Sequence, residues 1–301
     1  MPRTPLATSS EPSDPVTDDP ARVAVAEFLQ QITDELSNGP LNLPCFPDIV
    51  PRVRRALDDP ASTADDIVRI AGTEPRLAAR LIQTANSAIF NPSGAQLTNL
   101  RQAVTRLGHQ LVQSVTMAFA VQQIKAESAL RPVAEPLTIL WQKSLAVASI
   151  CQLLARRLGV PPDKVFLAGL LHGIGCFYVM VRAATASREI IYDEVVVDFV
   201  ADWHPSIGRS ILETWGFDSV LCDAIGSQKE YDRQSTRGAD ITDVLIVGVA
   251  LAEALLERGG DLSQCEHITA FASLRLSRED SVAILWHTEN AIGALRDTLG
   301  C

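Results

Sequence analysis

The stretch from Phe166 to Phe177 decides the fold class of this chain, and it reads Phe-Leu-Ala-Gly-Leu-Leu-His-Gly-Ile-Gly-Cys-Phe. An apolar run typical of a buried helix ends at His172, and Gly173 and Gly175 separate it from a second apolar run. A polar side chain followed by glycines, between two aliphatic segments, predicts a helix junction inside a core. This junction is the first candidate for a functional site.

The composition of the chain favours helices around a large core. Of 301 residues, 47% are hydrophobic, 21% are charged and only 5% are aromatic, so the core must be built from aliphatic side chains. Alanine and leucine favour helices. An alternating strand pattern of useful length is missing, except over Glu194–Val200, whose flanks are helical in pattern. We therefore predict an all-α fold, a multi-helix bundle with an N-terminal helical lobe.

Charge and cysteine content exclude several classes of protein. The formal net charge of -10 repels a phosphate backbone, so nucleic-acid binding is not expected. We find no uninterrupted apolar run of membrane-spanning length and no secretory signal, which predicts a cytoplasmic protein without a membrane segment. The six cysteines show no CxxC spacing, which is typical of small core residues in a reducing compartment.

Proline positions and composition divide the chain into segments. The first residues are rich in Pro, Ser, Thr and Asp and lack an apolar period, which predicts disorder. Pro132 and Pro136 bracket a break between two helical regions. The predicted segments are a disordered tail (1–19), an N-terminal helical lobe (20–131), a helical bundle (132–260) and a C-terminal helical extension (261–301).

Several phrases, taken in order, resemble the HDOD family, the output-domain relatives of the HD-superfamily phosphohydrolases. The resemblance covers about residues 37–235. It implies that an N-terminal helical lobe packs on a degenerate HD-like bundle, and that the protein acts in bacterial signalling without an established catalytic activity. The phrases are Leu43-Pro44 with Pro47, Glu74 to Ser87, Ala103 to Gly108, Trp141 to Ser144, Phe166 to Gly175, and His204 to Gly216.

The resemblance also indicates the positions at which an HD enzyme would have metal ligands. HD enzymes bind divalent metals through a His, a His-Asp pair and a distal Asp, and they attack phosphate with metal-bound water. The matching positions here hold Lys143, Gly173 and Leu251. An ammonium has no lone pair to donate, and Glu253 lies two residues, or about 200°, around the helix from Leu251. We therefore predict no metal, no cofactor and no catalytic residue.

The histidines and glycines of this region can be interpreted as structural residues or as parts of a binding site. His172 is expected to be a buried histidine that hydrogen-bonds to backbone or to a neighbour such as Gln228. His204 precedes a proline and is expected to cap a helix start. Gly173 and Gly175 form either a close-packed helix junction or a backbone nest for phosphate.

Three functions follow from these residues. The leading one is a non-catalytic signalling module that binds a protein partner. The second is a phosphohydrolase acting on nucleotides or cyclic dinucleotides, with metal held by His172, His204 and one of Asp198, Asp202 or Glu253. The third is a binding module for a small anionic nucleotide, whose pocket would be lined by Lys143, His172, Gly173, Gly175, His204 and Gln228.

Charge is unevenly distributed along the chain. Residues 40–110 hold eight bases against six acids, which favours either an anion- or partner-docking face or an ordinary solvated surface. Residues 186–232 hold ten acids against three bases, so this segment faces either solvent or a basic partner. Four tryptophans lie at helical positions and are expected in the core: Trp141, Trp203, Trp215 and Trp286.

Overall fold

The computed structural model describes residues 20–39, 41, 47–87, 90–91, 94–186, 188–235 and 238–299. Every regular element within these ranges is helical, and they contain no strand, which confirms the all-α prediction. The predicted tail (1–19) and most of the proline-rich connector near Pro44 lie outside the described residues. The β-prone run at Val195–Val197 belongs to a helix because its neighbours continue one helical face.

The helices follow one another with short connections. The α-helices of the described ranges are α1 (Pro20–Ser37), α2 (Ile49–Asp58), α3 (Ala64–Ala71), α4 (Pro75–Asn86), α5 (Leu100–Lys125), α6 (Ala134–Leu158), α7 (Pro162–Leu171), α8 (Ile174–Ala186), α9 (Glu194–Thr214), α10 (Ser219–Gly226), α11 (Ile241–Glu257), α12 (Thr269–Ser273) and α13 (Arg278–Leu299). Short 3₁₀ helices lie between them at Ser128–Val133, Arg188–Tyr192 and Ser263–Cys265.

Helices α2 to α5 form the N-terminal lobe. A capping box begins α3, since the Thr63 side chain accepts from the Asp66 backbone and the Asp66 side chain accepts from that of Thr63. Helix α5 bends sharply at Gly108, whose φ of +69° is a left-handed conformation that glycine adopts without strain. The part of α5 after this bend is almost entirely buried, as its apolar sequence predicts.

Helix α1 packs on the helical bundle. It contacts α8 and α9. The carboxylate of Glu35 accepts hydrogen bonds from the Tyr178 hydroxyl and the Arg182 guanidinium, both on α8. The sequence grouping of residues 20–131 had placed α1 in the N-terminal lobe. Its contacts with α8 and α9 are long-range, so a linear pattern could not indicate them.

Small residues let the central helices approach closely. A Cβ atom on Gly169 of α7 would lie 2.6 Å from the Ala148 Cα of α6. A Cβ atom on Gly248 of α11 would lie 2.5 Å from the Cys151 sulfur of α6. Helix α6 is therefore in direct backbone-level contact with both neighbours, and it forms the centre of the bundle. Helix α13 also packs against α6, and Arg157 pairs with Asp280 at 2.9 Å.

Two stretches are long and apolar enough to cross a membrane by length and composition alone, Ser128–Ala155 and Pro162–Ala186. In their most apolar windows, 67% and 83% of the residues are buried inside the protein. Both stretches are therefore accounted for as core helices of the bundle.

The tryptophans divide between core and surface. Trp141 is buried in α6 as predicted, and Trp215 is partly buried. The core prediction was wrong for Trp203 and Trp286, whose residues are 52% and 63% exposed. Helical spacing showed that each residue shares a face with apolar neighbours, but it could not show that this face lacks a covering element.

Candidate functional site

His172 is the residue at which α7 ends, and its ring is buried. Its Nδ1 atom lies 2.8 Å from the carbonyl oxygen of Gly169, one turn earlier, so Nδ1 is the nitrogen that donates. Burial lowers the pKa of His172 to about 4; the bond to Gly169 opposes this shift, and the positive charge of Lys143 adds to it. His172 is therefore neutral at pH 7 and anchored to backbone.

His204 lies in the middle of α9, so the expected capping role at a helix start was wrong. The side chain is buried, and its Nδ1 atom has no hydrogen-bond partner within the described part of the chain. The pKa of His204 is lowered to about 3, mainly by burial and in part by His172, Lys229 and Lys143. These influences show that the two histidines and the two lysines lie close together.

Pro205 explains the position of Lys229. A proline inside a helix has no N–H to donate, so the carbonyl four residues earlier, that of Ala201, loses its helical partner. The Lys229 ammonium donates to this Ala201 oxygen at 2.5 Å. An exposed lysine from beyond α10 thus replaces the missing backbone donor of α9.

Gln228 joins the end of α10 to the α7–α8 junction. Its Nε2 atom donates to the carbonyl oxygens of His172 at 3.0 Å and Ile225 at 2.8 Å. The side chain is buried, and its Oε1 atom has no hydrogen-bond partner among the described residues. Gln228 therefore holds the backbone of His172 and leaves one buried acceptor unused.

The two glycines of the opening motif are needed for close packing. A Cβ atom on Gly175 would overlap the carbonyl oxygen of His204 and would lie 3.0 Å from the Gly208 nitrogen. A Cβ atom on Gly173 would lie 2.8 Å from Leu140 Cδ1. Contact between α8 and α9 accounts for Gly175, and it needs no bound phosphate. Gly173 leaves no carboxylate at this junction.

Lys143 makes ion pairs in place of metal coordination. Its Nζ atom lies 3.0 Å from Glu253 Oε1 and 3.0 Å from Glu257 Oε1. Burial alone would lower the pKa of Lys143, but the two carboxylates, Glu253 first, outweigh it, so the pKa is raised. The sequence predicted that Glu253 would lie on a different helix face from Leu251. The long Lys143 side chain nevertheless reaches the Glu253 carboxylate. Leu251 is fully buried.

We call Lys143, His172, His204, Gln228 and Lys229 the His–Lys cluster. The structure brings these residues together from α6, α7, α9 and the segment after α10. Across the described ranges, no group of three or more His, Cys, Asp or Glu residues is placed to hold a metal ion.

The acids proposed as alternative ligands do not complete the cluster. Asp198 and Asp202 are exposed on α9, whereas His204 is buried. Asp202 lies two residues from His204, which is about 200° around the helix. Glu253 is occupied by Lys143.

Several arginines of the N-terminal lobe are engaged within the molecule. Arg54 donates to the Gly216 carbonyl at 2.5 Å, and its guanidinium lies 5.0 Å from the Phe217 ring centre. Arg101 pairs with Asp65, and Arg106 donates to the Ala95 carbonyl at 3.3 Å. Arg54 thereby fastens the lobe to the α9–α10 turn of the bundle.

The sequence analysis missed Lys229 and Glu257. A proline inside α9 is a signal that one carbonyl needs another donor. Nothing in the linear sequence shows that the donor is 28 positions away. The same applies to Glu257, which is 114 positions from Lys143.

Comparison with known proteins places these features in a family. Residues 43–231 match the model of the HDOD domain. This chain belongs to the HDOD family. A comparison with curated proteins finds no match. The HDOD match spans α2 to α10. It includes all five residues of the His–Lys cluster, so the cluster lies wholly within the family domain.

Several solved structures share this fold. A Shewanella amazonensis SB2B protein, provisionally named a metal-dependent phosphohydrolase, is 25% identical with a TM-score of 0.69, over 90% of this chain and 99% of that one. An HDOD domain protein of unknown function from Geobacter sulfurreducens is 22% identical with a TM-score of 0.59, over 92% and 96%. A Marinobacter aquaeolei VT8 protein, provisionally named a signal transduction protein, is 21% identical with a TM-score of 0.60, over 95% and 67%. These likenesses show the same fold and agree with the HDOD match.

Proposed function

We propose that this HDOD protein is a non-catalytic signal-transduction module that acts by binding another protein. The observation that carries the proposal is the ion pairing of Lys143 with Glu253 and Glu257 at a position where an HD enzyme has a metal ligand. The ammonium repels a divalent cation and has no lone pair to offer it. The carboxylates that would attract a cation are already paired.

The histidines support the same conclusion. Only the imidazoles of His172 and His204 remain, and because Nδ1 of His172 donates to Gly169, this residue has one nitrogen, Nε2, to offer a metal. A hydrolytic metal centre needs three or more protein ligands, with carboxylates to offset the charge of the metal. Gly173 and Leu251 supply no ligand atom at the two carboxylate positions.

Metal content and hydrolysis test the non-catalytic part. We expect the purified, untagged protein to contain less than about a tenth of an equivalent of divalent metal by mass spectrometry. We also expect no turnover of nucleotides or cyclic dinucleotides with added Mg²⁺ or Mn²⁺. About one equivalent of metal that is lost in His172→Ala, or turnover that this variant abolishes, would restore the phosphohydrolase hypothesis.

Partner capture tests the binding part. The full chain, expressed at its natural level and crosslinked in cells, should retain a specific protein partner under at least one growth condition. The Lys143→Met variant serves as a control, because a partner that binds the surface should be retained when the buried ion pair is lost. Absence of any specific partner across growth conditions contradicts the proposal.

A small-anion module is the second candidate, and one observation favours it. Lys143 and Lys229 both act electrostatically on His204, so two ammonium groups approach this histidine and could attract an anion. The Lys143 charge is balanced by Glu253 and Glu257, which makes protein binding the stronger proposal. Isothermal titration with a cyclic dinucleotide and with ppGpp separates the two: saturable heat that is lost in Lys229→Met supports the anion module.

A further inference from the structure

One side of α9 carries an apolar stripe whose two end residues are exposed, while its middle residue, Phe199, is partly buried against the core. Val195, Phe199 and Trp203 are spaced by four residues, so they lie above one another along about 12 Å of helix. Val195 and Trp203 are 58% and 52% exposed. The rings of Phe199 and Trp203 stack with centroids 6.1 Å apart and an angle of 19°. We call these three residues the α9 stripe.

A row of carboxylates borders the α9 stripe. Glu194, Asp198 and Asp202 repeat with the same four-residue spacing, one position before each apolar residue. All three are exposed. The sequence contains no lysine or arginine from position 190 to 208, so no neighbour on this helix neutralises them. The surface is therefore apolar along one line and negative along the next.

We infer that the α9 stripe docks a basic amphipathic helix of a partner protein. This inference rests on the proposed function and specifies its binding surface. An amphipathic helix supplies an apolar face for Val195, Phe199 and Trp203. Lysine or arginine beside that face would meet the carboxylates of Glu194, Asp198 and Asp202, and charge complementarity of this kind steers association.

Charge argues against the two occupants that this chain itself could supply. Its first 19 residues carry four carboxylates and one arginine, so they would be repelled by the acidic row. In a two-fold dimer through this surface, the same acidic row would face itself. A separate, positively charged partner removes both conflicts.

A separate apolar hollow of about 180 Å³ lies at the start of α9, and its lining includes Tyr192 and Val197, which are both exposed. Val197 lies two residues from Val195 and from Phe199, or about 200° around the helix, so this hollow opens on another side of α9 and is not part of the α9 stripe.

Two synthetic peptides test the inference on the full-length protein. One is an amphipathic helix of roughly 18 residues built from leucine and lysine, and its twin has glutamate in place of every lysine. By isothermal titration, the lysine peptide should bind saturably with one-to-one stoichiometry, and the glutamate twin should not bind. The variants V195A/W203A and D198N/D202N should each weaken binding at least about tenfold.

Matched variants on other surfaces provide the controls. V282A/W286A removes an equally exposed valine and tryptophan from α13, and E127Q/E279Q removes two exposed charges elsewhere. Both should leave the dissociation constant within about threefold. Equal weakening by control and α9 variants would mean non-specific attraction to the net negative protein, and it overturns the inference. Binding of the glutamate twin overturns it as well.

Self-association is measured in parallel by analytical ultracentrifugation. A wild-type dimer that D198N/D202N dissociates would assign the α9 stripe to a second copy and overturn the choice of a separate partner. Failure of this docking surface can also be distinguished from failure of the proposed function. A captured partner without peptide binding removes only the docking surface, whereas metal-dependent turnover with intact peptide binding removes only the non-catalytic assignment.

Discussion

The Nζ atom of Lys143 lies 3.0 Å from Oε1 of Glu253, and this contact joins α6 to α11 beside the His–Lys cluster. A second carboxylate, Glu257, approaches the same ammonium at 3.0 Å. Both Lys143 and Glu253 have side chains that are mostly but not fully buried. The group formed by Lys143, Glu253 and Glu257 is therefore intermediate in burial between a fully exposed ion pair and a fully desolvated one.

Replacing members of this triad should have unequal effects. We expect Lys143→Met to lower the free energy of unfolding more than Glu253→Gln, because the first removes the partner of Glu257 and leaves Glu253 only the 3.9 Å approach of Arg258, whereas the second leaves Glu257 with the lysine. Their coupling in a double-mutant cycle should be about 1 kcal/mol and should decrease in high salt. Urea unfolding measures both quantities.

The exposed pair Arg209–Glu213, at 2.8 Å, is the control for this cycle. Its coupling should be smaller, at about 0.3–0.5 kcal/mol. Equal coupling for the two pairs would show that Lys143 gains nothing from its partial burial.

Gly175→Ala should be strongly destabilising. The added methyl group overlaps the carbonyl oxygen of His204, and backbone cannot yield as a flexible side chain can. Overpacking typically costs about 1–3 kcal/mol or more. Gly173→Ala is the control, since its nearest atom is the end of the Leu140 side chain. A fall in melting temperature, or loss of soluble protein, should be larger for Gly175→Ala; equal effects would contradict the close α8–α9 contact.

Acid should destabilise the protein through its two buried histidines. Their native pKa values are lowered to about 4 for His172 and about 3 for His204, against about 6.5 in the unfolded chain. Between pH 6.5 and 4 the unfolded state therefore binds more protons than the native state, and the free energy of unfolding falls as pH falls. Each histidine contributes at most about 1.4 kcal/mol per pH unit.

Urea unfolding from pH 7.5 to 5 measures this dependence. His204→Gln should flatten the slope below pH 6.5, and His267→Gln, at an exposed position, should leave it unchanged. No pH dependence from the histidines is expected above pH 7.5, where both states are neutral. A slope that His204→Gln leaves unaltered would contradict the buried, neutral assignment.

Lys229 and Pro205 should be energetically coupled although they make no direct bond. Lys229→Met removes the donor to Ala201 and should cost about 1 kcal/mol of unfolding free energy. In a Pro205→Ala background the backbone N–H is restored, so the same Lys229→Met change should cost close to nothing. Equal costs in both backgrounds would show that Lys229 is not replacing the helical donor.

Much of the fold could be predicted from the sequence because helices are local. Aliphatic composition and the lack of a useful strand pattern predicted an all-α fold, and every regular element of the described ranges is helical. The capping box at Thr63 and Asp66 was likewise readable, since both partners lie within one turn. Family phrases placed His172 and Gly173 at a helix junction for the same reason.

The candidate site was predicted only in part. Lys143, His172, His204 and Gln228 were named from motif positions, and the structure brings them together. The roles of Glu253 and Lys229 required the tertiary structure, because each depends on a partner from a distant helix. The helix position of His204 was missed because proline at its flank suggested a start, whereas Lys229 allows α9 to continue through it.

The sequence by itself determined the helical class, the family and the residue types at Lys143, Gly173 and Leu251, since these depend on residue identity and local periodicity. The tertiary structure decided which charges meet and which apolar faces remain uncovered. It paired Lys143 with Glu253, buried His204 and exposed Trp203. Periodicity gives a residue its face on a helix, but only the packing of all helices determines what lies against that face.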